Sequence, residues 1–139
     1  MNTNTDMPKL EYHHTALVVK NMQQAIGDYA VLFGKDKISA IYAVTTQKVN
    51  VCFVETGINT YLELVEPATP DAPVISLLKK QHTYYHIGYK VKDIYKTVAC
   101  LEEQNYKAMA YYNSEAFGGK TCIFLFTPLG HLIELIEED

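Results

Sequence analysis

Arginine is absent from the chain, so all twelve formal positive charges are lysines. That removes the planar fork that grips phosphates and guanine edges with paired hydrogen bonds. Together with a net charge of −4, it argues against a general nucleic-acid or membrane-surface binder. Cysteine is scarce and odd in number, and Cys52, Cys100 and Cys122 have no C-x-x-C spacing. They read as small buried hydrophobes in a reducing compartment. No apolar run approaches the roughly 18 residues that span a bilayer. The opening "MNTNTDMPKL" lacks the apolar stretch of a signal peptide. The expectation is a cytoplasmic protein, and its 139 residues suffice for one domain that buries most of its apolar surface.

What is present is a repeat. "YHHTALVVKNM" (Tyr12 to Met22) and "YYHIGYKVKDI" (Tyr84 to Ile94) share an aromatic, a histidine, a β-like run and a polar residue before an apolar one. The likeness continues downstream. Met22, Ala25, Ile26, Tyr29, Ala30 and Phe33 fall at the i, i+3, i+4, i+7 spacing of an amphipathic helix, which Gly34 stops. Ile94, Thr97, Val98, Cys100 and Leu101 repeat that face. Asn21 and Asp93 sit where an N-cap belongs. Strand-like runs follow each helix: "ISAIYAVT", "KVNVCFVET" and "TYLELVE", then "KAMAYYN", "KTCIFLFT" and "HLIELIEE".

The predicted fold class is therefore α+β, with two βαβββ modules in a single domain covering 1–139. Module one spans about 10–66 and module two about 83–138. The Pro-rich stretch at 67–82 is read as a linker with a short helix starting around Ala72 or Pro73. Each four-stranded sheet with one helix has a face left to hide, so the two are expected to join as one curved mixed sheet.

The repeat carries polar residues inside runs that otherwise want burial. His14 and His86 hold equivalent places in the first strands, and Glu63 and Glu134 in the last, flanked by Leu, Ile or Val. An ionised carboxylate in an apolar strand costs several kcal/mol unless it is paired or bound to metal. Two imidazoles and two carboxylates suit one divalent ion per chain, Co, Ni, Zn, Mn or Fe, with positions open for water or substrate. Each residue alone is read more simply as a hydrogen-bonded strand residue; their matched placement favours a shared site. His13 is expected on the opposite face of its strand, with replacement by Ala nearly silent. His82 and His131 are expected to be solvated, and Tyr84, Tyr85, Tyr89, Tyr111 and Tyr112 to line a pocket or pack in the sheets.

From about Leu10 to Glu138 the sequence resembles the vicinal oxygen chelate (glyoxalase/bleomycin resistance/dioxygenase) superfamily. Within it, "HTALVVKNMQQAIGDYAVLFG", "YLELVEPATPDAPVISLLKK", "YYHIGYKVKDI" and "HLIELIEE" are most similar to the methylmalonyl-CoA epimerase branch. The resemblance implies His14, Glu63, His86 and Glu134 as metal ligands, with chelation of a substrate through two oxygens. It implies an epimerase or isomerase acting on a carbon acid beside a carbonyl, first methylmalonyl-CoA or a related acyl-CoA thioester, with Glu134 moving a proton. It also implies a homodimer. Where some epimerases place a second catalytic carboxylate, a gap-free match from Gln47 puts Val51. A glyoxalase I-like lyase acting on a hemithioacetal, and a metal-free module binding a small molecule, are the alternative readings.

Overall fold

A computed structural model describes residues 7–138. The first six residues, part of the stretch read above for a signal peptide, lie outside the described residues. Among the described residues there are nine strands and three α-helices, with both parallel and antiparallel strand pairing. The chain divides into two compact units. One is His13–Tyr85; the other combines the residues up to Tyr12 with those from His86 onward. Among the described residues, no helix is long and apolar enough to cross a membrane.

In the first of these units the elements run β1 (Glu11–Val18), α1 (Met22–Phe33), β2 (Ile38–Val44), β3 (Val49–Gly57), β4 (Thr60–Pro67) and α2 (Ile75–Lys79). The strand order is β2-β3-β4-β1, with β1 and β4 parallel. Asn21 caps α1, its Oδ1 accepting the Gln24 N–H at 3.0 Å, which satisfies one of the helix's unpaired first-turn donors. At the far end Gly34 takes φ +98°, where a Cβ would meet the Asp36 carboxylate at 2.8 Å. Glycine is needed there to end the helix. Met22 and Ala25 pack against Cys52, Val54 and Leu64. Alternation along β3 and β4 then puts Phe53 and Glu63 on the opposite face.

The second unit repeats this plan with β5 (Tyr84–Val91), α3 (Ile94–Glu103), β6 (Lys107–Ala108), β7 (Tyr112–Ser114), β8 (Lys120–Phe126) and β9 (Leu132–Glu137). Strand β5 runs parallel to β9, and β8 pairs with β9, β6 and β7. Asp93 caps α3 by accepting the Lys96 N–H at 3.0 Å. Ile94, Val98 and Leu101 bury themselves on Ile123, Leu125, Ile133 and Leu135, which leaves Phe124 and Glu134 facing the other way.

Two expectations need correction. "KAMAYYN" is not one strand but two short ones. Ala108 pairs with Leu125 and Tyr112 with Cys122, four steps along one strand against three on β8. One extra residue is therefore accommodated, as in a β-bulge. The other unit carries the same irregularity between Ile38 and Ile41, so the bulge belongs to the repeat. The linker helix begins at Ile75 rather than Ala72 or Pro73, because Pro70 and Pro73 keep the preceding residues in turns closed by the Ala72 and Ile75 N–H groups. Cys52 and Cys122 are buried as expected, whereas Cys100 is only half-buried.

Candidate functional site

Each unit builds one histidine–glutamate pair from its own strands. In β1 and β4, His14 lies beside Tyr61 and Ala16 beside Glu63 in parallel register, so His14 and Glu63 share a face. His14 Nε2 and Glu63 Oε1 are 3.4 Å apart. In β5 and β9, Ile87 lies beside Ile133 and Gly88 beside Glu134, and His86 Nε2 is 3.3 Å from Glu134 Oε1. All four residues are buried, none more than 5% exposed.

A phenylalanine stands at the same place in both pairs. Phe53 is the antiparallel partner of Glu63 and Phe124 that of Glu134. Each presents its ring in a T-shaped contact to the local histidine, with centroids 6.1 Å apart at His14 and 5.0 Å at His86. Such rings lower the local dielectric and sharpen every polar interaction beside them.

The N···O separations bear on what the pairs can do. An ordinary N–H···O bond is shorter, at roughly 2.7–3.2 Å. Two donors bound roughly 2.0–2.2 Å from one ion lie roughly 2.8–3.1 Å apart at octahedral angles and roughly 3.3–3.6 Å apart at tetrahedral ones. Both pairs fit the second geometry. Imidazole nitrogen with carboxylate oxygen is also a donor set that transition ions accept, and each of these four residues is a candidate metal donor among the described residues.

Two neighbours of the pairs differ from what the sequence leads one to expect. His13 does not lie on the far face. It is buried, its Nδ1 is 2.8 Å from His14 Nδ1, and its ring packs 4.8 Å from Tyr61 and 6.0 Å from Phe53. Regular alternation, which would place it elsewhere, does not hold at this position of β1. The second neighbour is Tyr112, whose hydroxyl donates to Glu134 Oε2. Nothing in the sequence distinguishes it from the other tyrosines. His82 is exposed as expected, while His131 is half-buried. Val51 is buried on the same side of β3 as Phe53, so no carboxylate occupies that place. Burial pushes the Cys52 thiol above its ordinary range, partly offset by hydrogen bonding to Ser39. That keeps it an inert thiol.

Residues 13–126 match the family model described as Glyoxalase/Bleomycin resistance protein/Dioxygenase superfamily. The chain belongs to this superfamily. It is 34% identical over 98 residues to the uncharacterized protein YqjC of Bacillus subtilis (strain 168), covering 68% of this chain and 69% of that protein. It is 27% identical over 115 residues to the mitochondrial methylmalonyl-CoA epimerase of Mus musculus, covering 81% of this chain. The match spans 64% of the mouse enzyme's length. Streptomyces coelicolor methylmalonyl-CoA epimerase, solved in complex with 2-nitronate-propionyl-CoA, shares the fold with a TM-score of 0.79 at 20% identity, covering 94% of this chain and 99% of that one.

Proposed function

We propose that His14, Glu63, His86 and Glu134 hold one divalent ion per chain, and that the protein is a metal-dependent epimerase or isomerase acting on a carbon acid beside a carbonyl. The observation that carries this reading is the duplicated pair: each unit buries one imidazole and one carboxylate at a separation that suits a shared ion. Methylmalonyl-CoA, or a related acyl-CoA thioester, is the first substrate to test. Support for that choice comes from the methylmalonyl-CoA epimerases among the relatives in sequence and fold.

When bound, the ion would supply Lewis acidity toward two oxygens of the substrate. The chain's own groups do the rest. With Nε2 of His14 given to the ion, the imidazole proton sits on Nδ1 and is donated to His13 Nδ1, 2.8 Å away. That fixes tautomer and ring orientation. Phe53 and Phe124 keep water from the histidines. Glu134 is the group assigned to move the α-proton.

Metal-loaded protein incubated with methylmalonyl-CoA in D2O is expected to exchange the α-proton for deuterium, read by mass spectrometry, and metal-free protein is not. A loaded sample that left the substrate unlabelled would rule this substrate out. The lyase reading, on a hemithioacetal, draws on the same carbon-acid chemistry. The observation that favours it is Val51, which puts an apolar side chain where a second carboxylate would return a proton from the other side. Formation of a thioester from methylglyoxal and a thiol, followed by its absorbance, would select it.

A further inference from the structure

The bulge shared by both units decides which tyrosine reaches the site face. Before it, Lys107 pairs with Phe126, Ala108 with Leu125, and the Met109 N–H bonds the Phe124 carbonyl. Continued without interruption, that register would set Tyr111 opposite Cys122 and send Tyr112 to the helix side. The extra residue reverses this. Tyr112 becomes the partner of Cys122 and lies on the face of Phe124 and Glu134, while Tyr111 contacts Tyr95 of α3 with ring centroids 5.0 Å apart. The bulge thus re-aims one side chain, a common use of such irregularities.

Two contacts then hold Tyr112. Its ring stacks on Phe124 at 5.7 Å with only 13° between planes, and its hydroxyl donates to Glu134 Oε2. The other oxygen of the same carboxylate, Oε1, is the one 3.3 Å from His86 Nε2. The two oxygens of Glu134 therefore have separate partners. In the other unit the same register puts Tyr42 opposite Val51, but its ring is tilted 55° to Phe53 at 6.4 Å.

We infer that Tyr112 is a positioning residue that makes Glu134 a one-oxygen metal donor, holding Oε2 back so that a coordination position stays open for substrate. This rests on the metal reading above. A carboxylate free to rotate can present both oxygens to an ion and close that position. The Tyr112 hydroxyl prevents the rotation by keeping Oε2 hydrogen-bonded.

The test loads the full chain and its Tyr112→Phe variant with cobalt(II) alone. Phenylalanine keeps the stack on Phe124, so the metal-free melting temperature is expected within a few degrees of the parent. Loss of the orienting hydrogen bond is expected to outweigh the second Glu134 oxygen gained, so that the cobalt dissociation constant rises about 10–100-fold. In infrared difference spectra, the splitting between the antisymmetric and symmetric carboxylate bands should narrow as Glu134 turns both oxygens to the ion. An unchanged dissociation constant with unchanged bands overturns the proposal. So does a loss of affinity matched by a comparable collapse of the metal-free melting temperature, which would make Tyr112 merely structural. If the parent itself takes up no cobalt, the metal reading falls and this inference with it; if the parent binds and the variant matches it, only this inference falls.

Discussion

Replacing His86 by alanine is expected to abolish metal retention while the protein stays folded. The side chain is 2% exposed and its Nε2 is the nitrogen paired with Glu134 Oε1, so the change removes one of four proposed donors and cannot be repaired by water without reorganising the pocket. Affinity should fall by more than about a hundredfold, since even residues that only orient ligands are worth about 10–100-fold. The change forfeits the edge-on contact with Phe124 and a partner of Glu134, on the order of a few kcal/mol, but leaves the helix-facing core clusters intact, so the fold should survive. His13→Ala gives the graded comparison. It leaves all four donors in place but removes the partner of His14 Nδ1, so its loss should sit within that 10–100-fold range. Equilibrium dialysis against a chelator measures both. A His86→Ala protein with undiminished metal would show that the ligands lie elsewhere, and a silent His13→Ala would remove the assigned tautomer.

Leu135→Ala should produce the largest loss of stability. Leu135 is fully buried among Ile94, Val98, Leu101, Ile123, Leu125 and Ile133, a cluster close-packed from both α3 and the strands. Truncation forfeits the transfer free energy of the removed methyl groups and leaves a cavity that the flanking β-branched residues fill poorly. The expected cost is about 3–4 kcal/mol, read as a lower urea midpoint at unchanged slope. Leu129→Ala is the control: with 95% of its surface exposed it should shift stability by less than about 0.5 kcal/mol. Because Leu135 follows Glu134 in β9 and points to the opposite face, the variant tests the core without touching the pair. If it were as stable as the parent, the helix-facing side of β9 would be misassigned.

Some of this was legible before any coordinates, and the reasons are local. Helix periodicity and the two N-caps follow from neighbouring residues, and Asn21 and Asp93 bond as such residues do. The pairs were legible for a different reason. A glutamate among Leu, Ile and Val is costly enough to demand a partner, and the repeat supplied a histidine at a matched place in each half. What could not be read depends on register. The one-residue bulge that aims Tyr112 at Glu134 leaves no mark in composition, since "AMAYYN" alternates no worse than a regular strand. His13 also depends on local geometry: it lies within β1, yet its ring packs on Tyr61 and Phe53, where strict alternation would not put it.

The proposed centre would hold a single ion shared by the two halves. Elemental analysis of untagged protein, reconstituted with a mixture of divalent ions and then desalted, tests it most directly. The prediction is close to one equivalent of metal per chain, lost on replacing either His14 or His86. Two equivalents, each lost independently with one histidine, would contradict sharing, and no retained metal would contradict the centre altogether and turn the search toward a bound small molecule.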